Sequence, residues 1–300
     1  MQKIFIWGMG LLGTSLGLAL RKKGIQVAGV VRSENSRKVL REKGFAEVYL
    51  SHEESIWQGI LSSDGIVFGT PVDAIYPVLD MLLDRQLPDN IWITDMASTK
   101  AELMQRVENL NGKLLFIGSH PMAGSDLTGP ENAREDLFEN ATVFMTLSTK
   151  IAEKTSPAQY HQCEKEITNM WELVGARTWQ VSYAIHDKWA AYLSHGLHLV
   201  SCMVSHLLKD IPEVLQLPVN PAGGSFRDIT RVAGSNPALW DTIISSNQQE
   251  VIEYLKSLES LTHKWRVSME KDAFPIQDIF KEAADLRMQI LKTEDTTENK

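Results

Sequence analysis

A histidine set between two glycines and followed by a proline is the segment of this chain best suited to do chemistry: Gly118-Ser119-His120-Pro121-Met122-Ala123-Gly124. An imidazole is the side chain most easily tuned to exchange protons near neutral pH, so His120 is a candidate general base. Pro121 fixes the chain just after it, and Gly118 and Gly124 let backbone approach a ligand closely. The run before it, Leu114-Leu115-Phe116-Ile117, reads as a buried strand. His120 is therefore expected where a parallel strand ends, the rim at which open α/β sheets bind ligands. The alternative is a histidine that only closes a loop.

A second constellation is Gly8-Met9-Gly10-Leu11-Leu12-Gly13, a G-x-G-x-x-G between the strand Lys3–Trp7 and a helix ending near Gly24. In that context the first glycine permits a tight turn and the second lets backbone approach a pyrophosphate. The third lets helix and strand pack closely, and the helix amino terminus supplies amide donors and a positive dipole. Gly8, Gly10, Leu11, Leu12 and Gly13 are the expected cofactor contacts. The second strand ends Gly29-Val30-Val31-Arg32-Ser33-Glu34, without the carboxylate that usually accepts from an NAD ribose at its terminus. Arg32 and Ser33 suit a 2′-phosphate instead, so NADP is expected over NAD, with Glu34 serving NAD as the alternative. Two more strand ends point to the same crevice. Thr70-Pro71 is expected beside the nicotinamide, and Ser98 offers a hydroxyl near the reacting centre. Ser98 also suits the cap of a Thr99–Leu110 helix, and Pro71 a first helical position.

The elements that must position these residues alternate along the first part of the chain. Strand candidates are Lys3–Trp7, Gln26–Val31, Gly65–Gly69, Ile91–Asp95, Leu114–Ile117, Thr142–Leu147 and Arg177–Val181, with amphipathic segments such as Val72–Leu83, Lys100–Leu110 and Pro157–Val174 between them. This pattern predicts a Rossmann-type doubly wound, mainly parallel sheet over residues 1–182. From 183 to 300 the strand signal vanishes and an all-helical domain is expected. His186–Leu208 reads as one long helix. Asn236-Pro237 gives a cap and a first-turn proline for another, running to about Lys271. Phe274-Pro275 breaks it before a last helix, Gln277–Leu291, and the polar tail Thr293–Lys300 is expected to fray.

A net charge of −8 argues against a nucleic-acid binder, and no apolar run approaches the length of a membrane span. The amino terminus enters a strand at once, and only Cys163 and Cys202 occur, far apart. A cytoplasmic protein without a disulfide framework is expected. His186, His195, His198 and His206 show no ligand spacing with cysteines or carboxylates, so no metal is expected.

Taken in order, these segments resemble the prephenate/arogenate dehydrogenase family over roughly residues 3 to 290. Leu193-Ser194-His195-Gly196-Leu197-His198, in the helix begun by His186-Asp187, is similar to that family's Ser-His-Leu-Pro-His segment. Gly223-Gly224-Ser225-Phe226-Arg227-Asp228-Ile229-Thr230-Arg231-Val232-Ala233 resembles its Gly-rich F-[RK]-D-x-[TS]-R segment, and Ser235-Asn236-Pro237-x-Leu239-Trp240 suits it too. Gly196-Leu197 departs from Leu-Pro, and family members vary at Ser125-Asp126. The resemblance implies oxidative decarboxylation of prephenate or arogenate, with His120 taking the hydroxyl proton and Ser98 hydrogen-bonding that hydroxyl or orienting His120. It implies that Arg231 binds the ring carboxylate, with Arg227 the other candidate, and that His195 helps to hold substrate. It also implies a homodimer built through the helical half. Competing readings are another hydroxyacid or imine dehydrogenase of this plan, with Lys188 as base, and a non-catalytic nucleotide-binding sensor.

Overall fold

The computed structural model describes residues 1–124 and 127–292, so Ser125-Asp126 and Thr293–Lys300 lie outside the described residues. The first half alternates strand and helix, with β3 and α3 added to the expected elements: β1 (Lys3–Trp7), α1 (Leu11–Lys22), β2 (Gln26–Val31), α2 (Glu34–Glu42), β3 (Glu47–Leu50), α3 (Ile56–Leu61), β4 (Gly65–Phe68), α4 (Val72–Asp84), β5 (Trp92–Asp95), α5 (Ala101–Glu108) and β6 (Leu115–Phe116). These six strands form one sheet in the order β3-β2-β1-β4-β5-β6, each neighbour pair parallel. Order reverses between β1 and β4, which opens a crevice beyond the carboxyl ends of the central strands. β4 and β5 are buried along their whole length because helices cover both faces, which is why they read as unbroken apolar runs.

Two expectations about the sheet are corrected. Thr142–Leu147 and Arg177–Val181 do not extend it; as β8 (Thr142–Thr146) and β9 (Arg177–Gln180) they belong to a second sheet of three strands. His120 does not lie in a loop at a strand end. It lies within β7 (Gly118–Pro121), the first strand of that second sheet, antiparallel to β8 with His120 opposite Phe144. Only Ile117 separates β6 from β7, and Asp95 explains the switch. Its carboxylate accepts the Ser119 N–H at 3.0 Å, so the chain is held to the end of β5 by a side chain where a backbone ladder stops. Thr94 and Ser119 add a hydroxyl contact of 2.8 Å.

After β8 come α6 (Thr149–Lys154), α7 (Pro157–Leu173) and β9, then α8 (Tyr183–Ala190), α9 (Gly196–His206), α10 (Gly224–Thr230), α11 (Pro237–Ser246), α12 (Gln248–Glu270) and α13 (Ile276–Lys292). The expected single helix His186–Leu208 is instead α8 and α9 joined by a π turn at Ala191–His195. Such a turn adds a residue to the helical repeat and re-aims the side chains that follow. Asn236 caps α11 through its side chain as expected, but the helix stops at Ser246. Asn247 leaves the helical conformation because its buried amide is drawn to two partners on α8 and the π turn.

By contacts the chain groups into Met1–Val251 and Ile252–Lys300. Within the second unit Trp265 packs edge-on against Phe274, while Met269, Phe280 and Ile290 are exposed. Among the described residues no helix is long and apolar enough to cross a membrane.

Candidate active site

The glycine-rich turn has the shape its motif implies. Gly8 stands at φ +102°, a region that L side chains rarely enter, and a Cβ on Gly13 would lie 2.2 Å from the Gly8 carbonyl oxygen. Gly10 is different: a Cβ there would meet nothing within 4 Å, so this glycine faces open space at the start of α1. Thr70 closes the turn from the end of β4, and its hydroxyl is buried with no hydrogen-bond partner among the described residues. A clear approach over Gly10 and free amides at a helix start fit a dinucleotide phosphate bridge, and the orphaned Thr70 hydroxyl fits a polar group elsewhere on the same dinucleotide.

These groups open onto one cavity of about 660 Å³. Gly10, Leu11, Leu12, Thr70 and Pro71 line one side, Met96 to Thr99 its floor, and His198, Arg231, Asn236 and Trp240 the far wall. The helical wall is tied to the floor by a 2.9 Å contact between the hydroxyls of Thr99 and Ser246. Ser98 is half-buried on the lining but caps nothing: α5 starts at Ala101 and its first amides are met by the remote carboxylate of Asp187. Arg231 lines the cavity; Arg227, one turn earlier on α10, is exposed and does not. Arg32 and Ser33 sit exposed beyond β2. Ser33 caps α2, and the Glu34 carboxylate is engaged by the Arg37 guanidinium, at 2.8 Å from its Nε.

His120 is set back from this lining, nine-tenths buried. Its Nδ1 lies 2.9 Å from Nε2 of His186, and His186 Nδ1 lies 2.7 Å from Oδ1 of Asp187. The rings of His120 and His186 meet edge to face, and Phe144 packs against His186. Burial, and then the nearby charges of His186, Lys100 and His195, holds the His120 imidazole well below its ordinary range, so it is neutral at pH 7. Beneath it Lys100 pairs with Asp95, both wholly buried. Burial raises the Asp95 carboxyl, and Lys100 together with the Ser119 and Ala97 amides opposes that rise.

His195 is buried and not on the lining. Asn247 Nδ2 lies 3.0 Å from its Nδ1, and burial lowers its pKa to about 4. His198, one turn on, stacks on Trp240 at 3.6 Å between centroids and stands on the wall instead. Lys188 is exposed, away from the buried His186-Asp187 pair. Among the described residues no three His, Cys, Asp or Glu side chains are grouped to hold a metal. Sequence reasoning did not give roles to His186, Asp187, His198, Trp240 or Asn247. The adjacent His186-Asp187 pair, at the start of a helix capped by Ser182, was the available signal.

Residues 16–180 match the family model described as prephenate dehydrogenase, nucleotide-binding domain, and residues 182–282 that described as prephenate dehydrogenase, dimerization domain. The prephenate dehydrogenase of Bacillus subtilis (strain 168) is 28% identical over 288 residues, 95% of this chain and 75% of that protein. The crystal structure of prephenate dehydrogenase from A. aeolicus in complex with hydroxyphenyl propionate and NAD+ superposes with a TM-score of 0.83 at 26% identity, over 97% of this chain and 98% of that one. Synechocystis arogenate dehydrogenase gives a TM-score of 0.77 at 26% identity, over 96% and 100%.

Proposed function

This chain belongs to the prephenate dehydrogenase family, and from that premise we propose that it oxidatively decarboxylates prephenate to 4-hydroxyphenylpyruvate, or arogenate to tyrosine, in tyrosine biosynthesis. The observation that carries this reading is one cavity bounded by a dinucleotide-type glycine turn, Ser98 and Arg231, with a neutral buried imidazole behind it. The substrate is a cyclohexadienol with a hydroxyl at C4 and a carboxylate at C1. A nicotinamide bound there would supply the acceptor for the hydride that leaves C4.

In this reading His120 takes the proton of the C4 hydroxyl, a task suited to an imidazole kept neutral at pH 7. Ser98 hydrogen-bonds that hydroxyl from the cavity floor. Arg231 holds the ring carboxylate, His195 supports the substrate wall from behind, and Arg227 stays outside the cavity as a surface charge. Loss of carbon dioxide from C1 supplies the electron pair that completes the aromatic ring and leaves a phenolate oxygen, so the protein's work is chiefly to position the substrate, to accept the hydroxyl proton and to return it to that oxygen. Gly8, Gly10 and Gly13 with the amides of Leu11 and Leu12 hold the pyrophosphate, and Thr70 and Pro71 the nicotinamide side.

The cofactor is a pyridine nucleotide, and we assign NADP as the preferred form. Glu34 is already paired with Arg37, whereas Arg32 is exposed beside Ser33 at the strand end. A lower KM for NADP than for NAD is expected, and a clear preference for NAD overturns the assignment. Residues 1–182 serve the nucleotide and 183–300 the substrate and a second copy of the chain. The exposed apolar side chains of α12 and α13 support pairing as a homodimer; light scattering that finds a monomer at micromolar concentration would exclude it. Two free thiols, Cys163 and Cys202, suit a reducing cytoplasm. Turnover of prephenate or arogenate with reduction of the nucleotide tests the activity itself.

A further inference from the structure

Resting on the reading of His120 as the base, we infer that His186 and Asp187 are positioning residues that fix which nitrogen of His120 is free to take the proton. Hydrogen-bond polarity along this buried chain sets the tautomer of each ring. Asp187 accepts the N–H of Lys100 on Oδ1 and the N–H of Ala101 on Oδ2, each at 2.8 Å, so its carboxylate acts as an acceptor throughout. His186 Nδ1, 2.7 Å from Oδ1, must donate to it. With its one ring proton on Nδ1, His186 presents a lone pair on Nε2, and at 2.9 Å that atom accepts from Nδ1–H of His120. His120 is left with a lone pair on Nε2, the form that a general base needs. The opposite tautomer would set two acceptors against each other between the rings.

The anchor of this chain is held from three elements. Asp187 caps the start of α5, its backbone lies in α8, and its carbonyl accepts Asn247 Nδ2 at 2.8 Å from the break between α11 and α12. Because that carbonyl can only accept, the atom beside it is the amide nitrogen, and the Asn247 side chain cannot turn over. The charged and titratable groups that face His120 are His186 from α8, Lys100 from the start of α5 and His195 from the π turn, with Asp95 behind Lys100. When His120 Nε2 gains the substrate proton, its Nδ1 proton can pass to His186 Nε2. One proton has then entered and one has moved on, and the positive charge rests beside the Asp187 carboxylate.

Two substitutions of His186 separate positioning from packing. An asparagine places its amide near the position of Nδ1, so His186→Asn keeps a donor toward Asp187 but leaves His120 without its acceptor. A glutamine reaches the position of Nε2, so the oxygen of His186→Gln can accept from His120. We expect His186→Asn to lower kcat by about 10²–10⁴, the range associated with loss of a correctly held base, and to move the acid limb of the kcat profile. Substrate KM and dinucleotide affinity by fluorescence should stay within about threefold, since positioning acts on the chemical step. His186→Gln should retain kcat within about tenfold of the unsubstituted protein. A kcat within about threefold for His186→Asn, or equal losses of kcat in both variants in step with their melting temperatures, would assign His186 to packing alone. His120→Asn is measured alongside. If it stays active, the reading of His120 fails; if it is inactive while His186→Asn is not, only the present inference fails.

Discussion

Replacing Gly10 with alanine is expected to weaken dinucleotide binding without weakening the fold. A Cβ at this position meets no heavy atom within 4 Å, and the residue sits at φ −80°, which alanine accepts. The melting temperature should hold or rise slightly, since removing a glycine from the unfolded chain is worth about 0.4–1 kcal/mol where the native backbone allows it. The pyrophosphate, however, would pass where the methyl group now stands, at the mouth of α1. Displacing it by a methyl radius costs one or two charge-assisted hydrogen bonds at about 1.5–3 kcal/mol each. At about 1.4 kcal/mol per tenfold, Kd should rise by ten- to a hundredfold or more. Gly13→Ala is the contrasting control. Its Cβ would lie 2.2 Å from the Gly8 carbonyl oxygen and 3.1 Å from the Gly8 carbonyl carbon, backbone atoms that cannot swing aside. It should lower stability by about 1–3 kcal/mol and weaken binding as well. Fluorescence titration with NAD and NADP, beside thermal unfolding, reads both effects. A Kd for Gly10→Ala within twofold of the unsubstituted protein would show that the phosphates do not cross Gly10.

Other consequences follow from the same structure. Arg231→Ala should chiefly raise substrate KM, by loss of a charged contact of about 2–5 kcal/mol; an unchanged KM in steady-state assays would transfer the carboxylate to another cation. Asp95→Asn leaves the Lys100 ammonium wholly buried without its carboxylate, and urea unfolding should show a loss of about 3–5 kcal/mol. A loss under about 1 kcal/mol would mean that Lys100 finds another partner. Stability should also fall in mild acid. His195 titrates at about 4 when folded against an ordinary 6.5, so the folded chain binds fewer protons between these values. Its contribution is present above pH 6.5 and is lost as pH falls toward 4, about 2 kcal/mol between pH 7 and 5. Burial of His120 acts in the same direction. Denaturant midpoints that do not change over that interval would contradict the burial of both rings.

The central strands were legible because each is an apolar run closed by glycine or a polar cluster, and β1 and β2 match their expected bounds. β3 was hidden because Glu47 and Tyr49 break its apolar character at the sheet's edge. β7 was hidden because Gly118-Ser119-His120-Pro121 carries no strand signal; it is held through the carboxylate of Asp95, 24 residues earlier. The break at Asn247 interrupts a sequence that is helical on both sides, and only contacts 52 and 60 residues away explain it. The site shows the same division. His120, Ser98, Arg231 and the glycine turn stand in local motifs, whereas His186 and Asp187 gain their roles from partners 66 and 87 residues distant. Short-range pattern reveals motif residues such as Ser98 and Arg231, which line the cavity, and long-range polarity decides which nitrogen of His120 carries its proton.

The most direct test is steady-state turnover of prephenate and of arogenate, with NAD and with NADP, in the unsubstituted protein and in His120→Asn. Nucleotide reduction is expected with at least one of the two substrates. In His120→Asn kcat should fall by about two orders of magnitude or more while dinucleotide affinity is kept. No turnover of either substrate by the folded protein, or a His120→Asn variant that works at the unsubstituted rate, would contradict these expectations.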